Sequence, residues 1–212
     1  MTERAQTKGE EAANALSHGI GFFFAALSLP VLQAFSARHG NDTAVLGASV
    51  FSLTMMLLYF ASAVYHALPP GQAKAWFNRL DHAAIFIFIA GSYSPFALGP
   101  LQHGIGWPLF LTVWALAAVG VVLKAAGRLR HPLWSTLIYT VMGWLVLVAI
   151  DPLLERMGQE GLLLLVAGGV AYTVGAVFFL LDSRVRYAHF VWHLFVIAGS
   201  SCHFVAALRY AA

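Results

Sequence analysis

What most constrains this chain is a succession of apolar stretches, each long enough to cross a lipid bilayer, separated by short polar connections. They lie near residues 13–35, 44–68, 80–98, 106–126, 133–150, 162–181 and 187–210. A bilayer core takes about 20 apolar residues per helical span. Backbone N–H and C=O groups find no water there, so they must satisfy one another within a helix or a closed barrel. A barrel would show roughly 10-residue segments of alternating polarity, and the chain carries none. The expectation is an all-α integral membrane protein, a seven-transmembrane helix bundle forming one domain over residues 1–212. Composition agrees: 60% of residues are hydrophobic and only 10% charged, where a soluble domain carries about 25% charged residues.

Lysine and arginine set the expected orientation, because loops rich in them stay in the cytoplasm. Arg4 and Lys8 precede the first stretch. Lys74 and Arg79, then Lys124, Arg128 and Arg130, then Arg184 and Arg186, fall in alternate connections on the same side. Only Arg38, Arg156 and Arg209 fall on the other. The N-terminus, a short tail over residues 1–11, is therefore expected in the cytoplasm and the C-terminus outside. That tail is followed by no short apolar region with a small-residue cleavage site, so the first helix is expected to act as its own insertion signal. The net charge of +3 then reflects topology and anionic lipid and gives no reason to expect nucleic acid. Cys202 is the lone cysteine, which excludes an intrachain disulfide.

Ionisable groups are costly in hydrocarbon, so each one inside a span is a candidate for function. His66 closes the second stretch, and His189 and His193 open the last. A spacing of four puts the latter two on one helix face. One such histidine alone reads as a polar residue packed in a bundle. The topology changes that reading, because it brings His66, Asp81, His82, His189 and His193 to one cytoplasm-facing layer from helices two, three and seven. Two imidazoles on one face and a third from a neighbour suit Zn2+, and three protein ligands leave its fourth position open, as in catalytic sites. Zinc lowers the pKa of bound water to about 7, and a carboxylate beside that water can accept its proton. Asp81 is the candidate for this role; its alternative is a helix N-terminal charge favoured by the dipole. Ser62 lies one turn before His66 and is the candidate for holding the water or a substrate oxygen.

Other residues read more plainly. His203 follows His193 by ten positions, about 15 Å along a helix, too far to share its metal; it reads as an internal hydrogen-bonding group in a cavity wall. His82 points away from Asp81, and His18 either orients a ligand or is structural. Gly91, Gly168, Gly169 and Gly175 are expected to permit close helix contact, and Pro95 to kink helix three near its outer end.

The blocks Ser62-Ala-Val-Tyr-His66, Asp81 to Pro95, and His189-Phe-Val-Trp-His193 with His203-Phe204 resemble the signature blocks of the hemolysin III family. That family is the bacterial branch of the progestin and adipoQ receptor (PAQR) superfamily. The opening run from Glu11 through Asn14 to His18 is also similar to its bacterial members. The resemblance covers nearly the whole chain. It implies seven helices with a cytoplasmic N-terminus in a bacterial cytoplasmic membrane. It also implies zinc on His66, His189 and His193, with Ser62 and Asp81 beside it. Kinship with ceramidase-like hydrolases makes the first functional reading a zinc-dependent intramembrane hydrolase of a lipid amide or ester, its substrate entering from the bilayer. The alternative is a non-enzymatic regulator or sensor of membrane lipid state with a structural zinc. A cytolytic pore has little support from a chain built like a resident membrane protein. A transporter would show paired broken helices, which the sequence does not suggest.

Overall fold

A computed structural model describes residues 4–129 and 131–211. Arg130, counted among the basic residues above, lies outside the described residues, as do residues 1–3 of the tail. Among the described residues there is no strand. The helices are α1 (Lys8–His39), α2 (Asp42–Ala67), α3 (Gln72–Leu98), α4 (Gly106–Ala125), α5 (Pro132–Trp144), α6 (Ile150–Leu181) and α7 (Ala188–Tyr210). A 3-10 turn, Leu145–Ala149, joins α5 to α6. Four helices (α1, α2, α4 and α7) and the 50-residue stretch from Pro132 to Leu181 are long and apolar enough to cross a membrane.

Local chemistry starts these helices where they start. Thr7 and Glu10 form a capping box at α1, satisfying two of the backbone donors that a helix N-terminus leaves free. The Asn41 side chain accepts from the backbone of Thr43 and Ala44 to open α2, and His131 caps α5 ahead of Pro132.

The distribution of side chains inverts that of a soluble bundle. On α1, Leu16, Phe23 and Leu27 are 67%, 69% and 69% exposed, while Ser17, Gly21, Ala25, Ser28 and Leu32 at helical spacing face inward. In lipid there is no hydrophobic force between helices, so small residues that allow close approach take the interface. Gly91 shows this directly: a Cβ there would strike the Thr54 side chain of α2. α1 packs on α2, α2 on α3, α3 on α4 and α6 on α7, and α7 returns to α1. α5 touches its neighbours lightly, and a cavity of about 130 Å³ lies among α3, α5, α6 and α7.

α1 begins at Lys8, inside the tail expected over residues 1–11, and runs to His39; three further boundaries differ from the sequence expectation. α3 begins at Gln72 rather than at residue 80, because the polar segment before Leu80 is itself helical. The connection expected between residues 150 and 162 is also helical, interrupted only at Gly158 (φ 65, ψ −176), a backbone conformation open to glycine and strained for other residues. The fifth stretch, expected as one helix, tightens into the 3-10 turn after Trp144. There the Tyr93 hydroxyl of α3 reaches into the backbone ladder. It lies 2.7 Å from the carbonyls of both Met142 and Gly143, to which it donates, and accepts from the Val146 N–H at 2.9 Å. A side chain inserted into the ladder is a recognised cause of helix breaks. α3 itself runs through Pro95 to Leu98.

Tyr93→Phe strips the partner from those buried backbone groups. The variant is expected to lose about 1–3 kcal/mol of stability, read as a lower midpoint of thermal unfolding in detergent.

Candidate metal centre

Three histidines meet at the end of the bundle where α1 begins, α2 and α6 finish and α7 begins. One ring nitrogen from each of His66, His189 and His193 lies within 4.8 Å of the other two. The ring centroids stand 4.8 Å (His189–His193), 4.9 Å (His66–His189) and 5.2 Å (His66–His193) apart. His66 and His193 are buried and His189 is half-buried. The four-residue spacing on α7 supplies two rings from one face, and the last turn of α2 supplies the third.

Each ring is held at Nδ1 by a different part of the chain. His66 donates to the Glu11 carboxylate at 2.7 Å, and His189 to Asp182 at 3.0 Å. His193 Nδ1 lies 3.2 Å from the Asn14 carbonyl, an acceptor only, and 3.0 Å from Ser17 Oγ, whose own proton goes to that carbonyl. These acceptors place the proton on Nδ1 in all three rings and leave a lone pair on each Nε2. Hydrogen bonding at the far nitrogen is how metal-ligating histidines are oriented and made more basic. His66 Nε2 is fully buried without a partner, a state that costs about 1–3 kcal/mol and that a shared cation would relieve. The donor set therefore fits a metal ion.

Beyond these contacts lies a second set of ion pairs. Lys74 holds Glu11 at 3.0 Å and donates to the carbonyls of Tyr65 and Leu68 where α2 ends. Glu10, 2% exposed, accepts two bonds from Arg4 at 2.7 and 2.8 Å and one from the Tyr187 N–H at 2.8 Å. Its carboxylate raises the Arg4 guanidinium further above its ordinary range. Tyr187 is the one non-glycine residue with positive φ among the described residues (φ 59), and it opens the helix that carries His189 and His193.

Ser62 and Asp81 line the cavity beside the cluster, together with His18, His189 and His193. Ser62 is buried with its hydroxyl beside the Asp81 carboxylate, and Asp81 is 8% exposed. Because α3 starts at Gln72, Asp81 stands about 14 Å along it, not in its first turn. That distance removes the helix-dipole explanation for this carboxylate. His18 stacks on His193 with centroids 3.5 Å apart and planes 6° from parallel. His82 spends Nδ1 on the Asn78 carbonyl of its own helix.

Sequence reasoning missed the residues behind the ligands. Glu11, Asn14 and Ser17 enter the sequence reading only as part of a family block, and Asp182 does not enter it. The available signal was their polarity: Asn14 and Ser17 lie one turn apart on the buried side of α1, and Asp182 precedes His189 by seven residues.

Fold and cluster together define a multi-pass helical membrane protein with a buried histidine centre at one end. A family model described as haemolysin-III related matches residues 6–204, and the chain belongs to that family. Hemolysin-3 of Bacillus cereus is 41% identical over 99% of this chain and 95% of its own length. A hemolysin-3 homolog of Bacillus subtilis (strain 168) is 38% identical over 95% and 94%. The human monocyte to macrophage differentiation factor is 27% identical over 99% and 91%. No solved structure matches the chain.

Glu11→Gln keeps the shape of the side chain but weakens the acceptor behind His66. It is expected to lower metal affinity by 10–100-fold, measured by competition with a chromogenic chelator.

Proposed function

We propose that the protein is a zinc-dependent intramembrane hydrolase of a lipid amide or ester. The observation that supports this most is the lining of the cavity. It reaches from Asp81 to Phe96 along α3, about 22 Å of helix. Its near end carries Ser62, Asp81 and the histidines, and its far end is apolar, with Phe88, Phe96 and Leu109. A polar end beside an ionisable cluster and largely apolar walls beyond it suit an acyl chain attached to a polar linkage.

His66, His189 and His193 would hold the zinc. When bound, zinc supplies a Lewis acid that polarises a carbonyl and acidifies water. The residues of the chain do the rest. Asp81 receives a proton as a nucleophilic water is activated and returns it to the leaving amine or alcohol. Ser62 Oγ holds the attacking water or the substrate oxygen in line. The apolar walls exclude bulk water and strengthen every polar contact at the reacting end.

The same reading extends to topology. α3, 27 residues long, adds a span to those already apolar enough, and the stretch from Pro132 to Leu181 crosses twice. That makes seven crossings. The basic residues gathered at the histidine end favour a cytoplasmic N-terminus and an external C-terminus, in the cytoplasmic membrane of a bacterium. Substrate then enters from the inner leaflet.

Purified protein incubated with a panel of lipid amides and esters is expected to release fatty acid. Asp81→Asn should reduce that release at least about 100-fold while zinc content, measured by elemental mass spectrometry, stays unchanged. His66→Ala and His193→Ala should lose the metal itself. If Asp81→Asn keeps the full physiological effect of the wild type in cells, a lipid-state regulator with a structural zinc replaces the enzyme. Alkaline phosphatase joined after residue 212 is expected to be active outside the cytoplasm.

A further inference from the structure

One buried carboxylate serves two helix starts. Oε2 of Glu10 accepts from the backbone N–H of Thr7, the N-cap of α1, at 2.9 Å. Its Oε1 accepts from the N–H of Tyr187, the N-cap of α7, at 2.8 Å. In a capping box, a carboxylate in the first turn of a helix takes up that same N-cap donor. α1 supplies its own. α7 has no acidic residue in its first turn and no side-chain cap, so Glu10 of α1 fills that place from across the bundle. Its negative charge also lies at the positive ends of both helix dipoles.

α7 depends on such a partner. Tyr187 opens it with φ 59 and ψ 8, a left-handed conformation that is costly for a residue with a Cβ and persists where the surroundings over-determine it. The first turn of α1 provides those surroundings. Glu10 holds the Tyr187 N–H, and Gly9 packs beside its hydroxyl, where an added Cβ would lie 3.2 Å from the oxygen.

Arg4 completes the clamp. Its guanidinium meets both Glu10 oxygens, at 2.7 and 2.8 Å, and reaches the carbonyls of Asp182 and Val185, each at 3.3 Å. Asp182 is the residue whose carboxylate takes His189 Nδ1. Further along α1, Glu11 meets Nδ1 of His66, and Asn14 and Ser17 meet Nδ1 of His193. The groups that orient the three rings thus belong to α1 and to the segment leading into α7, the two parts that Arg4 and Glu10 join.

We infer that Glu10, held by Arg4, is a positioning residue for the metal: one carboxylate caps α1 and α7 together and sets the register in which Glu11, Asn14 and Asp182 meet the histidines. The inference rests on the reading of the histidine cluster as a metal site. Glu10 acts through those acceptors and not on the ion.

The test uses the full-length protein in detergent and Co2+, whose visible bands report its coordination, with affinity read by titration. The wild type is expected to bind Co2+ at the histidines. Glu10→Gln and Arg4→Gln should each weaken binding about tenfold, the low end of the effect of outer contacts on a metal site, and should shift the visible bands. Because both act through one clamp, the double variant should lose no more than the larger single loss. Arg4→Lys, which keeps the charge, should retain part of the affinity. Asn41→Ala removes the cap of α2 at the opposite end of that helix from His66. It should lower the midpoint of thermal unfolding and leave Co2+ affinity as in the wild type. Unchanged affinity and bands in Glu10→Gln and Arg4→Gln overturn the inference. So do losses that add in the double variant, or an equal loss of affinity in Asn41→Ala. A wild type that takes up neither Co2+ nor Zn2+ overturns the metal reading itself.

Discussion

The hydrogen bond at Nδ1 of each clustered histidine is the interaction on which this molecule turns. Three imidazoles packed with centroids about 5 Å apart could each face any way. Acceptors fixed by the fold give all three the same tautomer and leave Nε2 of each ring with a lone pair. The acceptors come from α1 and from the last turn before α7, so the first and last helices are tied to the second through the site. In a medium where packed helices gain little from apolar burial, such directed contacts do much of the work of holding positions. The Arg4–Glu10–Tyr187 contacts and the Lys74–Glu11 pair belong to the same scheme: each places a charge only where a partner meets it.

The cavity is the counterpart of that order. α5 stands off from the rest, and its helix breaks where Tyr93 takes over its backbone groups. A regular helix there would keep its hydrogen bonds to itself and leave the tyrosine hydroxyl unpaired. The departure from regular structure thus belongs to the wall of the cavity, opposite the tightly packed α1–α2–α3 side.

Much of this was legible in the sequence. Apolar runs gave the helices because a bilayer admits few backbone solutions, and the loop charges gave one shared layer for His66, His189 and His193, the layer in which their nitrogens meet. The four-residue spacing on α7 needed only helix geometry. What stayed hidden had no periodic or compositional mark. The start of α3 at Gln72 lies in a polar segment that hydropathy cannot tell from a loop, and with it went the true depth of Asp81. The split after Trp144 depends on a hydroxyl from another helix, a tertiary contact absent from local pattern. Glu11 and Asp182 looked like ordinary charges near helix ends until folding set them behind His66 and His189. Glycine positions were readable as helix contacts: a Cβ on Gly168 would meet both the His203 ring and the Gly199 carbonyl of α7.

The histidine centre draws on residues from Glu11 near the start of the chain to His193 in the last helix. No partial chain can build it: α2 alone offers one ring, and the acceptor for His193 waits on α1 until α7 arrives. During synthesis the site comes into being only at the final insertion step, when the ends of the chain are brought together. A metal held at this centre would therefore report finished assembly, because a chain stalled one helix short lacks the cluster that could hold it.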